Sequence, residues 1–330
     1  MLHYYVSMEI NTKVILANLP NDRFGPEHKE KIIQRAQGRE LVHSTDRCEI
    51  EKILDRIEIC IGFGPWDLFE KMPSLLWIQS WAAGVDGLIA NPLLKEKPVI
   101  ITNTSGIHKE QLTEHIFALI LAWNRKFPEV FTAQKKHEWI RLMDADVPVI
   151  AGKTMLILGY GSIGERCAKT ALCFGMKVIG LRRQASANAS GVRIETQDKL
   201  HELLPEADYV VNILPFTQDT RNFVAKEEFT KMKKTAVYVN VGRGTTTDEA
   251  ALIDALKSGL IAAALLDVTA QEPLALDSPL WDMENVIITP HYAGMRPDYS
   301  SMAMDITLEN LDRFNRGETL INEIDKNAGY

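Results

Sequence analysis

The segment Thr154-Met155-Leu156-Ile157-Leu158 runs without a break into Gly159-Tyr160-Gly161-Ser162-Ile163-Gly164, and an amphipathic stretch follows to Phe174. Few sequence features leave a chain less choice. An apolar strand must end in a tight turn at Gly159. The backbone at Gly161 is bare enough for a pyrophosphate to approach, and Gly164 lets the next helix pack close to the strand. The free N–H groups and positive dipole end of that helix then face the phosphates. Three glycines in six residues also occur in turns that bind nothing. The strand before and the helix after are what separate this turn from those.

The same rhythm extends along the chain. Lys13–Leu19, Ile57–Phe63, Leu76–Trp81 and Val99–Thr102 read as short strands, with a helix over Glu27–Ala36. A long apolar helix, Glu110–Ala122, and a polar arm through Pro148 interrupt the series. It resumes with strands at Met155–Leu158, Lys177–Leu181, Tyr209–Ile213, Ala236–Asn240, Ala262–Asp267 and Val286–Thr289. Helices are expected over Ser162–Phe174, stopped by Gly175, over Asp248–Lys257 with Asp248 as N-cap, and over Pro297–Phe314. Such alternation predicts the α/β class, with parallel sheets wrapped by helices.

The 330 residues suffice for two domains. A formal charge of −7, with 25% charged and 46% apolar residues, fits a soluble globular protein and argues against a nucleic-acid partner, which needs a basic face. Apolar runs such as Ile116–Trp123 fall far short of the roughly 20 residues of a membrane span. The start, MLHYYVSMEI, has no export signal pattern. The four cysteines form no CxxC pair, which reads as a reduced, cytoplasmic chain without a metal site.

Further polar residues stand where open α/β sheets bind ligands, after the carboxyl ends of strands. The second strand of the glycine unit ends in Leu181-Arg182-Arg183. An acid there would read a ribose 2′-hydroxyl, whereas two arginines suit a 2′-phosphate or form a solvated basic loop. Arg243 follows a strand in NVGRG, Asp267 ends one, Glu272 lies in DVTAQEP, and His291 follows another in TPHYAG. Each has a bland reading as surface base, loop acid or core histidine. After successive strands they can also converge on one cleft. In the first domain, Ala82-Ala83-Gly84-Val85-Asp86-Gly87 is either an ordinary strand-to-helix turn or a backbone nest for an anion.

In order, AAGVD, GYGSIGE, NVGRG, LDVTAQEP, SPLWDMENVIITPHYAG and LINEIDKNAGY resemble the D-isomer-specific 2-hydroxyacid dehydrogenase family over nearly the whole chain. The resemblance implies two doubly wound parallel-sheet domains. A Rossmann dinucleotide domain, residues 105–294, would be inserted into a flavodoxin-like substrate domain, residues 1–104 and 295–330. It implies reduction of a 2-oxoacid to a D-2-hydroxyacid by NAD(P)H. With Arg182 and Arg183 in place of an acid, NADP is expected over NAD. Arg243 would bind the substrate carboxylate, His291 would donate a proton, and Glu272 would orient the imidazole. Backbone N–H groups at Ala83, Gly84 and Val85 would hold the carboxylate. Gly159, Gly161, Ser162, Ile163 and Gly164 would meet the pyrophosphate. Leu214, Pro215, Thr220, Val241 and Gly242 would line the cofactor, and Asp267 its nicotinamide end.

Glyoxylate and hydroxypyruvate are the first substrates expected, in a pocket near Phe63–Trp66, Trp81, Met295 and Arg296. A homodimer is expected through Glu110–Ala122 and the arm, where Trp139 stands at the position that reaches the partner's site in some relatives. Two alternatives share this fold. Formate dehydrogenases typically carry Gln where Glu272 stands, and a dinucleotide-sensing, corepressor-like protein would keep the cleft without turnover.

Overall fold

A computed structural model describes residues 12–91, 94, 96–184 and 191–329. The stretch read for an export signal lies outside them. The chain divides into two compact units. One comprises the described residues through Ile107 together with those from Pro297 onward, and the other is His108–Arg296.

The first unit is built on a five-stranded parallel sheet of β1 (Val14–Asn18), β2 (Glu40–His43), β3 (Ile57–Gly62), β4 (Trp77–Ser80) and β5 (Ile100–Thr102), in the order β2-β1-β3-β4-β5. That is the flavodoxin-like order. The helix Tyr299–Arg316 belongs to this unit although it lies some two hundred residues further along the chain. Its buried face, Ala303, Met304, Leu308 and Leu311, packs with Ile15, Ile59, Ile61, Trp77 and Trp81. Two buried indoles need partners for their N–H groups. Trp81 Nε1 donates to Thr307 Oγ1 at 3.0 Å, and Trp77 Nε1 donates to Thr102 Oγ1 at 2.9 Å. The returning helix thus completes the core of the first sheet.

The second unit carries seven parallel strands: β6 (Thr154–Leu158), β7 (Lys177–Arg182), β8 (Val192–Thr196), β9 (Tyr209–Asn212), β10 (Val237–Asn240), β11 (Ala263–Leu266) and β12 (Val286–Ile288). Their order is β12-β11-β10-β9-β6-β7-β8, the doubly wound Rossmann arrangement. Apolar cores cover both faces. One contains Ile116, Ile120, Ile157, Cys167 and Val239, and the other Leu158, Leu203, Phe229, Tyr238 and Leu256. Burial on both faces explains the near-continuous apolar interior strands. The chain reverses order between β6 and β9, which pair Leu158 with Asn212, and this is where such sheets bind ligands.

Two strands escape the sequence reading. β2 and β8 are edge strands. Glu40-Leu-Val-His43 and Val192-Arg-Ile-Glu-Thr196 mix polar with apolar residues, because an edge needs charge against unwanted pairing and buries less. The arm, read as irregular, contains the helix Phe127–Lys135. No described helix is long and apolar enough to cross a membrane.

Candidate active site

The glycine turn divides its labour as the spacing requires. Gly159 has φ +96°, a left-handed conformation, and a Cβ there would lie 3.2 Å from the Ile213 carbonyl. A Cβ on Gly164 would come within 2.8 Å of the Gly159 oxygen. A Cβ on Gly161 would meet nothing within 4 Å. Gly161 is therefore bare toward open space, where a pyrophosphate could lie. Gly159 and Gly164 are bare because the protein itself needs the room. The N–H groups of Ser162 and Ile163, at the start of the 12-residue helix Ser162–Cys173, donate to no acceptor among the described residues. Two exposed donors beside an open backbone suit a dinucleotide phosphate.

Arg182 ends β7 and Arg183 follows, both exposed. The ring of Tyr160 packs on Gly180. Burial pushes the Tyr160 hydroxyl up and Glu165 adds to this, while Lys169 and Arg182 pull it down. Arg182 thus acts electrostatically on a residue of the glycine turn.

Two asparagines at equivalent positions shape the neighbouring loops. Asn212 and Asn240 end β9 and β10 and stand in register. Asn212 Oδ1 accepts from Leu214 N at 3.1 Å, and Asn240 Oδ1 accepts from Gly242 N at 3.1 Å. Their amides donate inward, to Tyr238 and Thr246 and to Thr247 and the Arg243 carbonyl. Leu214 and Val241 are buried, whereas Pro215 is exposed. Gly242 permits a close pass, since a Cβ there would lie 2.6 Å from the Leu214 oxygen. Thr220 is buried and its hydroxyl donates to Pro215 O at 2.7 Å, closing the turn beyond β9. Sequence reasoning missed both asparagines. The repeated pattern VVNIL and YVNVG was the available signal.

Glu272 and His291 meet, and the loop that carries Arg243 packs against the loop that carries Glu272. Gly244 passes so close to Thr269 that any side chain would collide with its carbonyl. Thr269 N donates to Glu272 Oε1 at 3.2 Å. Glu272 Oε2 lies 2.5 Å from His291 Nδ1. Beside a carboxylate, Nδ1 carries the proton. Nε2 is left without a protein partner among the described residues, on a ring 48% exposed. His291 has φ +50°, an uncommon conformation for a side-chain-bearing residue and one found preferentially at functional sites. Arg243 is half-buried, and its guanidinium donates to the Gly242 carbonyl at 2.9 Å.

Asp267 is buried beneath this loop. Its carboxylate accepts from Thr289 Oγ1 at 2.6 Å, Tyr292 N at 3.2 Å and Ala293 N at 3.0 Å. Its carbonyl accepts from His291 N at 2.8 Å. All three hydrogen bonds of the carboxylate are to the loop that carries His291, and the side chain is 2% exposed. His115, from the helix Lys109–Asn124, completes the set, with Nε2 at 2.9 Å from Thr289 Oγ1 and 3.5 Å from Asp267 Oδ1. Burial pushes the His115 imidazole below its ordinary value of 6.5, against the pull of Asp267. Nothing in the sequence linked His115 to residues so distant.

In the first unit, Ala83, Gly84 and Val85 follow β4. Their N–H groups donate to no acceptor among the described residues. The loop is pinned by Asn103 Nδ2, which donates to Ala83 O at 2.7 Å, and by Ser80 Oγ, which accepts from Ala82 N at 3.1 Å. Three successive unfilled donors can take an anion.

Comparison with known proteins agrees. Residues 117–293 match the family model "D-isomer specific 2-hydroxyacid dehydrogenase, NAD binding domain". The chain is 34% identical over 261 residues to a glyoxylate reductase of Korarchaeum cryptofilum, covering 76% of each. It is 39% identical over 227 residues to glyoxylate/hydroxypyruvate reductase B of an Enterobacter species, covering 68% of this chain and 70% of the relative. Among solved structures, the NADPH-dependent glyoxylate/hydroxypyruvate reductase of Sinorhizobium meliloti superposes with a TM-score of 0.82 at 30% identity, over 97% of this chain and 100% of that one. Match, fold and site lead to one conclusion: the chain belongs to the D-isomer-specific 2-hydroxyacid dehydrogenases, a family of enzymes that use a nicotinamide dinucleotide.

Proposed function

We propose that this protein reduces 2-oxoacids to D-2-hydroxyacids with NADPH in preference to NADH, and that glyoxylate and hydroxypyruvate are among its substrates. The observation that carries the reading is the His291–Glu272 pair at 2.5 Å, with Nε2 of the imidazole left open. Glu272 holds the ring through Nδ1, and Nε2–H donates a proton to the C2 oxygen. Arg243 binds the substrate carboxylate and polarises the C2 carbonyl, a task for a forked, permanently charged donor. In the first unit, the N–H groups of Ala83, Gly84 and Val85 offer a carboxylate three donors. When bound, the nicotinamide supplies the hydride to C2. Gly161, Ser162 and Ile163 take the pyrophosphate, and Leu214, Pro215, Thr220, Val241 and Gly242 shape the cofactor's surroundings. Asp267 fixes the loop at the nicotinamide end.

Arg182 and Arg183 support NADPH. A hydrogen bond to a charged group is worth about 1.5–3 kcal/mol, or roughly 10- to 150-fold in affinity. Arg182 is the first choice for the 2′-phosphate contact because it ends β7 and acts on Tyr160. The test is a panel of 2-oxoacids assayed with NADPH and NADH side by side. The double variant Arg182→Ala, Arg183→Ala should raise KM for NADPH and leave KM for NADH nearly unaltered. A preference for NADH in the unmodified protein would overturn the cofactor assignment. Cofactor binding without turnover of any 2-oxoacid would favour a dinucleotide-sensing protein.

A further inference from the structure

Arg23 lies in the turn between β1 and the helix Pro26–Ile33, a segment to which neither the fold nor the chemistry above gives a task. Its backbone N–H closes that turn on Pro20 O at 3.0 Å. Its guanidinium is held over two rings, 5.4 Å from the Phe63 centroid and 5.8 Å from the Tyr299 centroid. Phe63 follows β3, in a segment expected to line the substrate pocket. Tyr299 opens the C-terminal helix of the same unit. Its hydroxyl donates to the Trp81 carbonyl and lies 3.2 Å from Thr104 Oγ1. Trp81 leads directly into Ala82–Val85. One tyrosine ring therefore separates the guanidinium from the strand end that opens the anion-holding loop.

The sheet fixes this neighbourhood. Asn18 pairs with Gly62 and Gly62 with Ser80, so β1, β3 and β4 end side by side at the carboxyl edge. Adjacent strands lie about 4.8 Å apart, so their loops open onto one surface. That edge is where open α/β sheets place ligands.

The electrostatics of Arg23 are unfinished. Among the described residues no carboxylate pairs with it, and no acceptor takes any of its five guanidinium N–H groups. Other half-buried arginines of this unit are paired, Arg39 with Glu58 and Arg35 with Asp312. Ring stacking holds the cation without filling its hydrogen-bonding edge, so an incoming anion meets a charge that is already oriented.

We propose that Arg23 determines specificity by selecting 2-oxoacids that carry a second anionic group at the end remote from the oxoacid function. The inference rests on the reductase reading above and narrows its substrate class. The first carboxylate goes to Ala83–Val85 of the same unit. The second, a carboxylate or a phosphate ester, goes to Arg23. An uncharged tail leaves the guanidinium unsatisfied.

The experiment compares pairs matched in chain length, with NADPH as reductant. These are 2-oxoglutarate against 2-oxopentanoate for a carboxylate, and 3-phosphohydroxypyruvate against hydroxypyruvate for a phosphate. In the unmodified protein, kcat/KM for the charged member of at least one pair should exceed that of its uncharged partner. Arg23→Gln should lower that ratio about 10- to 150-fold, mainly through KM of the charged member, the size of one charge-assisted contact. Arg23→Lys, which keeps the charge, should retain the direction of the preference. The pair that responds identifies carboxylate or phosphate. If uncharged 2-oxoacids serve as well as charged ones in the unmodified protein, the inference fails and the reductase reading stands. The same holds if Arg23→Gln lowers both members of a pair equally, since Arg23 would then only support the fold. If no 2-oxoacid of any kind is reduced, the underlying reading fails with it.

Discussion

At the scale of single residues, the site depends on one histidine held by one acid. His291 Nδ1 is occupied by Glu272 at 2.5 Å and Nε2 is not, so in the proposed reaction the ring delivers its proton from Nε2 only. His291→Ala removes that donor but none of the contacts to the glycine turn. It should lower kcat by about 10²–10⁴-fold with little change in NADPH affinity measured by nucleotide fluorescence. Near-normal turnover in this variant would exclude His291 as the proton donor. Arg243, Glu272 and His291 were legible in the sequence because each follows a strand of a recognisable series. Arg23 and His115 were not. Each gains its meaning from partners far along the chain, and a lone arginine in a turn or a histidine in an apolar helix looks like any other. Asp267 was legible as a position, but its carboxylate's hydrogen bonds, all to the loop bearing His291, were not.

At the scale of elements, the glycine turn separates binding from folding. The Cβ positions at Gly161 and Gly164 differ in what they meet, open space against the Gly159 oxygen at 2.8 Å. Gly161→Val should leave the melting temperature nearly unchanged while raising KM for NADPH at least tenfold, because its side chain occupies only the phosphate approach. Gly164→Val should lower the melting temperature, since the helix must move off β6; overpacking of this kind costs about 1–3 kcal/mol. Equal thermal effects from the two would contradict the division of roles. The link from the helix Lys109–Asn124 to Asp267 and Thr289 can be tested through pH. His115 has its folded value below the ordinary 6.5, chiefly through burial. The unfolded chain then binds more protons in the window below 6.5. The neutral imidazole's contribution is present above that value and is lost as pH falls through the window. The unmodified protein should therefore lose more melting temperature between about pH 7.5 and 5.5 than His115→Gln, whose amide can still donate to Thr289. Parallel slopes would remove His115 from the acid response. Apolar runs made the interior strands and the edge strands β5 and β12 legible, whereas β2 and β8 were not, because Glu40–His43 and Val192–Thr196 mix charged with apolar residues.

At the scale of the whole molecule, the arm is an incomplete surface. Trp139 is 95% exposed, Met143 71%, Val149 65% and Phe131 54%, all within a short stretch of the second unit. Large apolar side chains clustered so closely are uncommon on a surface that meets only water, and we propose that they form an interface. Their composition matches what protein interfaces favour, with aromatics and methionine at the centre. The expected occupant is a second copy of this chain. The sequence carried the apolar residues but not their exposure, since a tryptophan in a polar arm is as compatible with a core as with an interface. Light scattering of the purified protein should give a mass of twice 37.1 kDa at micromolar concentration. The double variant Phe131→Glu, Trp139→Glu places two buried, unpaired charges in each half of the interface and should convert the dimer to a monomer. Each copy's own cores do not include these two residues, so the variant should keep its far-ultraviolet circular dichroism. A monomeric unmodified protein would show that the exposed arm serves something other than self-association. A dimer untouched by the two charges would place the interface elsewhere on the molecule.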